Sequence, residues 1–381
     1  MNSTHLKSLY NSYKETSLFG RYISPNHVSP LIEKMSAFFE VSVIGYSVNN
    51  LPIHSIKVGH GKTKVLLWSQ MHGNESTTTK ALFDMLNIFK SNQSPFNSIL
   101  DSYTLLIIPM LNPDGAKAYT RLNPNNIDLN RDAQNLSQPE SKVLRKCFET
   151  FEPDFCFNLH GQRTIFGAGN TGNVATLSFL SPSADAERSI TTARIDAMKV
   201  ISYINKNMQS ELPDAIGRYD DGFNINCVGD TFQNFGIPTV LYEAGHYAND
   251  YDREAVRYFT FCALYHGLNS ISKLDAIVYE DYFLIPENEK NFYDVIIRNV
   301  KLSADSVKSV DVVIQYKETL ENSEVKFIPI VEKIEKLDGY FGHKIIEGNQ
   351  QVITDEVGQS LELGNEIVFV MLNYRKILLK S

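Results

Sequence analysis

The sequence predicts an α/β fold, a mixed sheet with helices on both faces, followed by a small all-β domain. Over residues 1–275, apolar strand-like runs alternate with stretches of helical spacing, which is typical of a sheet between two layers of helices. From residue 276 onward, short β-type runs separated by turns replace this alternation. We therefore expect a first domain over residues 1–275 and a sandwich or barrel over residues 276–381.

The elements of the first domain follow from hydrophobic periodicity. A first helix carries Leu31, Met35, Phe38 and Phe39 on one face, and residues 41–48 and 51–58 flank an Asn-Asn turn as a hairpin. The mostly apolar strands beyond them suit a sheet that is buried on both faces. In chain order, the further elements are strand 64–70, helix 76–90, strand 103–109, turn 112–115, helix 141–151, strand 155–160, helix 189–212, strand 238–243 and helix 250–268.

The second domain is predicted from β-type runs alone. It contains one histidine, His343, and no spacing that is typical of metal ligands. We expect it to be structural and to pack against the first domain. Its runs are residues 282–285, 294–297, 310–314, 326–331 and 366–372.

Composition excludes several classes of protein. Hydrophobic residues make up 43% and charged residues 21% of the 381 positions, which is ordinary for a globular protein. The net charge of −8 disfavours nucleic acid and anionic membranes as partners, because both select basic surfaces. No apolar run approaches the ~20 residues that a membrane span requires.

The N-terminus and the cysteines bear on the cellular compartment. The first residues lack the apolar segment of a signal peptide, and the four cysteines are widely spaced without a C-x-x-C motif. Cys156 and Cys262 have apolar neighbours, so we expect buried thiols in a reducing compartment rather than disulfides. Both observations favour a cytoplasmic protein.

A candidate metal site begins with His72 and Glu75, which follow an apolar run and precede a helix. One imidazole and one carboxylate at this spacing can bind the same divalent metal, such as zinc, although the pair alone is common. His160 ends another buried strand, and ligands bind at the carboxyl ends of strands in open α/β sheets. It can therefore complete a three-ligand set that leaves a fourth position for water.

Two further segments supply candidates for catalysis. Residues 121–132 hold two arginines and several carboxamides, which suit a substrate carboxylate, and the alternative is a solvated polar loop. Within this segment, Asp128 can accept a hydrogen bond from a ligand histidine. Glu243 ends an apolar strand, where a carboxylate is either satisfied structurally or placed beside the metal as a general base. His246 is a competing ligand or a hydrogen-bond donor, and we expect the donor.

Together these segments resemble the zinc carboxypeptidase family of the carboxypeptidase A type over roughly residues 40–270. The resemblance implies an eight-stranded mixed sheet with helices on both faces and a zinc-dependent hydrolase. The C-terminal β-domain is similar to the small β-sandwich that some members append. The motifs that carry the resemblance are, in order, His72-x-x-Glu75, Asn112-Pro113-Asp114-Gly115, Arg121-x-Asn123, Asp128-Leu129-Asn130-Arg131, His160 and Glu243.

The resemblance also implies a role for each matched residue of the metal site. His72, Glu75 and His160 are implied to bind one zinc ion. Asp128 is implied to hold the His72 ring from the side that faces away from the metal.

The roles of the remaining residues concern the substrate. Glu243 is implied to deprotonate the water that zinc activates and to pass the proton to the leaving amine. Arg121 is implied to stabilise the oxyanion, and Asn130 with Arg131 to bind the terminal carboxylate of the substrate. The mobile capping tyrosine of the family is expected in the loop before the catalytic glutamate, where Tyr219 is the nearest candidate.

The sequence also departs from the family pattern. Asn126 stands where the family loop usually has glycine, and asparagine tolerates left-handed backbone better than most residues. Asn74 replaces the arginine of the animal digestive enzymes. The segment 162–170, which follows the third metal-ligand candidate, either lines the pocket or forms a plain loop.

These observations lead to three hypotheses about function. The leading one is a zinc metallocarboxypeptidase that cleaves the amide bond next to the terminal carboxylate of a peptide. The alternative is a deacylase of N-acyl amino acids, which would be similar to the aspartoacylase and succinylglutamate desuccinylase group. The motifs at 112–115 and 128–131 favour the peptidase. A non-catalytic binding protein is disfavoured, because every implied catalytic position is filled.

Overall fold

Helices and strands alternate as far as Ile271 in the computed structural model, which describes residues 3–91, 93–373 and 375–379. The helices are α1 (Ser3–Tyr13), α2 (Pro25–Met35), α3 (Thr77–Phe89), α4 (Phe96–Ser102), α5 (Pro113–Ala118), α6 (Pro139–Phe151), α7 (Thr192–Met208), α8 (Val228–Asn234) and α9 (Glu254–Ile271). The strands between them are β1 (Glu40–Tyr46), β2 (Pro52–Val58), β3 (Thr63–Ser69), β4 (Tyr103–Ile108), β5 (Phe155–Gly161), β6 (Gly167–Ala168), β7 (Leu177–Leu180), β8 (Ile216–Arg218) and β9 (Thr239–Ala244).

One mixed sheet organises this part of the chain. Within the described ranges it has eight strands, in the order β1-β2-β4-β3-β5-β9-β7-β8. Strands β4, β3, β5 and β9 are parallel neighbours at its centre, whereas β1 and β2 are antiparallel at one edge. The α/β fold with an eight-stranded mixed sheet is therefore confirmed.

The two faces of the sheet bury separate hydrophobic cores, because successive side chains of a strand point to opposite faces. Val65 and Leu67 of β3 pack in one core with helices α3, α7 and α9. Leu66 and Trp68 of the same strand pack in the other core with α6 and α8. Helices thus cover both faces, as the sequence predicts.

A buried ion pair ties α3 to α9. Asp84 and Arg257 are both fully buried, and the guanidinium donates to the two carboxylate oxygens at 2.6 and 2.7 Å. Its other donors reach the carbonyl oxygens of Glu15 and Leu18 at 2.8 and 2.6 Å. The pair also anchors the segment after α1, and loss of one partner would leave the other charge buried alone.

The chain beyond α9 forms β-structure after two short 3₁₀ helices, Leu274–Ala276 and Glu280–Leu284. The strands are β10 (Asn288–Glu289), β11 (Phe292–Val300), β12 (Val310–Glu321), β13 (Glu324–Glu335), β14 (Phe341–Glu347), β15 (Ile353–Thr354), β16 (Phe369–Leu372) and β17 (Arg375–Leu378). Strands β13-β12-β11-β14 form a four-stranded sheet, and β15-β16-β17 form a three-stranded sheet. Residues of both sheets share one core, which includes Val295, Val312 and Val370.

The two parts of the chain are joined by strand pairing as well as by the connecting segment. Strand β10 of the C-terminal part pairs with β6 of the first part, Asn288 opposite Ala168. The additional β-sheets expected at the C-terminus are therefore present, whereas the domain boundary after residue 275 stays a prediction.

Two local predictions are wrong. Residues 282–285, expected as a β run, lie mostly in a 3₁₀ helix, where the Ile285 amide donates to the Tyr282 carbonyl at 3.2 Å. A short apolar run does not distinguish a strand from a buried helical turn, and Tyr282 is fully buried here. Phe38 does not belong to the apolar face of α2, since the helix ends at Met35 and the Phe38 side chain is 59% exposed.

The cysteines and the helices test the predictions of buried free thiols and of a chain without a membrane span. All four cysteines are free thiols, and three are buried, whereas Cys227 is half-buried. Among the helices that the structure describes, none combines the length and the apolar character needed to cross a bilayer.

Replacing Arg257 with methionine is expected to destabilise the protein by about 3–5 kcal/mol, because the Asp84 carboxylate would stay buried without its partner. Urea denaturation followed by the fluorescence of Trp68 measures this loss. The control is Lys57→Met, which removes an exposed ion pair with Glu40 and is expected to cost less than about 1 kcal/mol. Equal losses in the two variants would contradict the assignment.

Candidate metal centre and active site

Strand ends position the metal-ligand candidates. His72 and Glu75 lie in the loop between β3 and α3, and His160 is the penultimate residue of β5. Because β3 and β5 are parallel neighbours, both segments leave the same edge of the sheet. In the pairing of β5 with β9, His160 lies directly opposite Glu243. Four residues predicted from the sequence therefore meet at this edge.

Three side chains converge there on a common point. The Nδ1 atoms of His72 and His160 lie 3.1 Å apart, and oxygens of Glu75 lie 2.9 and 3.0 Å from them. Tetrahedral bonds of ~2.0–2.1 Å to zinc would place neighbouring ligand atoms about 3.3 Å apart. The spacing of His72, Glu75 and His160 therefore fits one metal ion of this kind.

The charges of this cluster also suit a cation. Burial lowers the pKa of His72, but the carboxylates of Glu75 and Asp128 outweigh it and raise that pKa to about 9. Burial raises the pKa of Glu75, but His72 and His160 hold it well below its usual range. Burial lowers the pKa of His160, which keeps that ring neutral. A carboxylate between two imidazoles is a donor set that divalent zinc accepts.

Asp128 holds the His72 ring from the side away from the cluster. Its Oδ1 lies 3.0 Å from His72 Nε2 and accepts the Asn130 amide at 2.9 Å. This contact leaves His72 Nδ1 for a metal. Arg121 donates to Oδ2 of Asp128 at 3.0 Å, and its guanidinium also lies 3.3 Å from Glu75. The predicted oxyanion residue is thus next to the metal ligands.

The Asn-Pro-Asp-Gly motif after β4 supports the loop that carries the first two ligands. The Asn112 amide donates to the Gln70 carbonyl at 3.1 Å, and the Asn112 side chain caps α5 by accepting the Gly115 amide at 2.9 Å. A Cβ at Gly73 would lie 1.9 Å from the backbone of Gly115, so a side chain at Gly73 would displace this contact.

Glu243 lies beside the cluster with an unused oxygen. Its Oε2 is buried and has no hydrogen-bond partner among the described residues, and the same holds for His160 Nε2. Burial and the nearby charge of Glu75 raise the pKa of Glu243 well above its usual range. A buried carboxyl group with a raised pKa and one oxygen left without a partner in the described structure is suited to proton transfer.

These side chains face one cavity of about 950 Å³, near the upper end of the range for ligand pockets. Asp128 lies behind His72 rather than in the cavity wall. The predicted residues that line the cavity are His72, Glu75, Arg121, Asn130, Arg131, His160, Tyr219 and Glu243.

The wall next to α8 carries the candidates for binding a carboxylate. Asn130 Oδ1 accepts the Val228 amide at 3.0 Å, which anchors the loop of residues 121–132 to the start of α8. Arg131 is exposed, and its Nη1 donates to the Asn130 carbonyl at 2.7 Å. Asn126 in the same loop has a φ of 58°, the left-handed backbone expected where the family loop has glycine.

Other predicted positions have mixed outcomes. Tyr219 lines the cavity, and its ring lies 5.3 Å from that of Phe166. His246 lies outside the cavity with its ring 4.2 Å from His343, and neither of its ring nitrogens has a hydrogen-bond partner among the described residues. The donor role expected for His246 is therefore wrong. Its burial among rings, which a sequence does not reveal, explains the error.

The cavity also contains residues that sequence reasoning missed. Part of the segment 162–170 lines it, including Arg163, which resolves the choice between a pocket wall and a plain loop. Asp230 of α8 lines it as well, and burial raises the pKa of that carboxyl to about 6. Lys290 and Lys317 reach it from the C-terminal strands. In the sequence, Lys290 and Lys317 are simply charged residues next to apolar runs, which does not indicate that they line a cavity.

A mixed α/β sheet with a His-Glu-His cluster at the ends of parallel strands defines a metallohydrolase-type site. The chain belongs to the zinc carboxypeptidase family, whose model matches residues 28–262, more than half of the chain. Members of this family are zinc-dependent, which agrees with the donor set of the cluster.

Relatives and solved structures agree with this assignment. The chain is 29% identical over 110 residues to probable carboxypeptidase 2 of Arthroderma benhamiae, and 30% identical over 137 residues to carboxypeptidase SOL1 of Arabidopsis thaliana. These matches cover 29% and 31% of this chain but 20% and 28% of the relatives. The chain thus spans less than a third of their length.

The fold is similar to that of two solved structures. A metallo-carboxypeptidase from Burkholderia cenocepacia has a TM-score of 0.54 at 17% identity, over 66% of this chain and 70% of that one. Carboxypeptidase A from Helicoverpa armigera has a TM-score of 0.53 at 15% identity, over 71% and 80% of the two chains. At these identities the likeness concerns the fold alone.

Zinc binding is expected to tighten as the pH rises from about 6 to about 8, because His72 keeps a proton below its pKa of about 9 and must lose it to bind a metal. Competition with a chelator should give a gain of about tenfold per pH unit. Asp128→Asn removes a charge that raises this pKa, so a smaller slope is expected. Asp101→Asn, at an exposed carboxylate 3.5 Å from His60, is the control and should keep the slope. An affinity independent of pH would contradict the ligand assignment.

Proposed function

We propose that this protein is a zinc-dependent metallocarboxypeptidase that cleaves the last amide bond of peptides with a free terminal carboxylate. One observation carries the proposal. A single cavity contains the cluster of His72, Glu75 and His160, the carboxyl of Glu243, whose Oε2 has no hydrogen-bond partner among the described residues, and the exposed guanidinium of Arg131.

The cluster is the part that would hold the metal. When bound, zinc lowers the pKa of water to ~7 and polarises a carbonyl group. The contribution of the chain is to fix the donors, since Asp128 orients the ring of His72 and the Gly161 amide donates to Glu75 at 2.9 Å.

Glu243 is the proposed general base. It takes a proton from the attacking water, holds it on the carboxyl group and gives it to the nitrogen of the leaving amino acid. The raised pKa of Glu243 supports this role, because a buried carboxyl beside Glu75 takes up a proton readily. The absence of a hydrogen-bond partner for Oε2 among the described residues leaves that oxygen free to move the proton.

Two arginines orient the substrate. Arg121, whose guanidinium lies 3.3 Å from Glu75, would stabilise negative charge that develops on the carbonyl oxygen. Arg131 and the amide of Asn130 would bind the terminal carboxylate, for which a planar guanidinium is well suited. Tyr219, which also lines the cavity, would cover the bound residue.

The alternative substrate is an N-acyl amino acid, which also has a free carboxylate. The cavity of about 950 Å³ extends to the C-terminal strands, and this room favours a peptide. Zinc-loaded protein assayed on a panel of peptides and N-acyl amino acids separates the two. Turnover of the acyl amino acids alone would show that the protein is a deacylase and not a peptidase. Protein that binds no zinc and turns over neither class would be a non-catalytic member of the family.

Glu243→Gln is expected to lower kcat by about 10²–10⁴-fold while zinc stays bound, because the amide cannot accept the proton. Metal content and peptide hydrolysis are measured on the same preparation. His160→Ala should lose both zinc and activity, whereas Glu287→Gln, at an exposed residue, should change neither. Full activity in Glu243→Gln would contradict the assignment of the base.

Arg131→Gln is expected to lower kcat/KM by about 10–100-fold, because a hydrogen bond to a charged carboxylate is lost. Wild-type protein should cleave a peptide with a free carboxylate and spare the same peptide with a C-terminal amide. Arg375→Gln, at an exposed arginine outside the cavity, should behave as wild type. If Arg131→Gln cleaves the free acid as fast as wild type, another group binds the carboxylate.

A further inference from the structure

The C-terminal strands β10 to β17, which we call the β-domain, form one wall of the cavity that contains the His72-Glu75-His160 cluster. Gln315 of β12 donates through Nε2 to Thr164 Oγ1 at 2.9 Å, and the Phe292 amide at the start of β11 donates to the Ile165 carbonyl at 3.1 Å. Both contacts reach the segment that follows β5. The β-domain is therefore seated directly beside the third metal ligand, His160.

Three cationic side chains lie close in sequence to the residues of these two contacts. We call Arg163, Lys290 and Lys317 the cation cluster. Arg163 precedes Thr164 in the chain, and Lys290 lies two residues before Phe292. Lys317 lies two residues after Gln315 on β12, so it points to the same side of that strand. All three side chains line the cavity and belong to exposed residues.

The cation cluster lacks a matching set of carboxylates. None of its three members has a carboxylate within ion-pair distance among the residues that the structure describes. Of the acidic residues on this side, Glu318 pairs with Arg21 at 2.9 Å and Asp220 lies 3.8 Å from Arg188. Glu332 of β13 and Asp220 are exposed, so among the described residues of this side two carboxylates face the three cations. This wall is thus positive in a chain whose net charge is −8.

Polar contacts with Arg21, Tyr119 and Tyr251 hold this wall against the first part of the chain. Glu318 of β12 accepts from Arg21 at 2.9 Å and from the Tyr119 hydroxyl at 2.5 Å. The Tyr251 hydroxyl donates to Asp294 of β11 at 2.8 Å. Because these groups are largely removed from water, the contacts resist separation of the two parts. The cation cluster is therefore a fixed part of the cavity.

The proposed carboxylate site and the cation cluster belong to different walls of the cavity. Asn130, which precedes Arg131, accepts the Val228 amide at the start of α8 at 3.0 Å. The cation cluster lies instead around the segment that follows His160, where Gln315 donates to Thr164. Side chains of both groups and of the His72-Glu75-His160 cluster line the same cavity.

We propose that the cation cluster binds acidic side chains of the substrate on the amino-terminal side of the cleaved bond, which makes acidic peptides the preferred substrates. This inference rests on the proposed carboxypeptidase function. A peptide whose terminal carboxylate lies at Arg131 and whose last amide bond lies at the metal ligands continues toward the C-terminal wall. Opposite charges there raise both the association rate and the affinity.

The test uses the full chain loaded with zinc and N-acetylated tetrapeptides that share their last two residues. Before these, the peptides carry two glutamates, two alanines or two lysines. Wild-type protein is expected to show about a tenfold higher kcat/KM for the glutamate peptide than for the lysine peptide, and added salt should reduce this ratio. Lys317→Glu is expected to lower kcat/KM for the glutamate peptide by about threefold to tenfold, mainly through KM.

Two comparisons make the test specific. An N-acetylated dipeptide does not reach the wall, so Lys317→Glu should cleave it within about twofold of wild type. Lys308→Glu makes the same charge change at an exposed residue of the β-domain outside the cavity, and it should keep the preference for glutamate. Equal cleavage of the glutamate and lysine peptides by wild type, or an equal effect of Lys308→Glu, would overturn the proposal.

A binding measurement separates this proposal from the proposed activity. Fluorescence anisotropy of labelled tetrapeptides on the Glu243→Gln protein reports affinity without turnover. If the dipeptide is hydrolysed but the glutamate and lysine tetrapeptides bind equally, the proposed role of the cation cluster is wrong and the proposed carboxypeptidase activity stands. Tighter binding of the glutamate peptide that Lys317→Glu abolishes, without hydrolysis of any peptide by wild type, would support the binding surface and overturn the activity.

Discussion

The parallel pairing of β3, β5 and β9 is the constraint on which the site depends. It places His160 opposite Glu243 and brings the loop that follows β3 to the same edge of the sheet. A shift of one residue in this pairing would exchange the two apolar faces of a strand, and both faces of β3 and β5 are buried in packed cores. The packing of the hydrophobic cores therefore fixes the positions of the candidate metal ligands and of the proposed base.

Much of the site could be predicted because its chemistry leaves few choices. Few side chains bind zinc, and the ligands lie where apolar runs end, so His72, Glu75 and His160 stand out in the sequence. The same holds for the large sheet, whose strands are short apolar runs bounded by polar turns. Asp128 could be placed behind His72 because a ligand histidine needs a partner for its second nitrogen.

The rest could not be predicted, because it depends on contacts between distant segments. Tyr282 lies in a short apolar run like those of the strands, but in the structure it is fully buried and belongs to a 3₁₀ helix. His246 looks like a polar residue near the site but lies among rings next to His343. Lys290 and Lys317 have no motif, and their place in the cavity follows from the way the β-domain docks beside Thr164.

The contact between Arg21 and Glu318 constrains the order in which the chain can fold during synthesis. The two residues are 297 positions apart, so the contact cannot form until β12 has been synthesised. Domains generally fold as units in the order of synthesis. The sheet with its metal ligands thus has the sequence it needs well before the β-domain exists. A nascent chain that ends before β12 therefore lacks one side of the cavity, and its Arg21 lacks the Glu318 carboxylate.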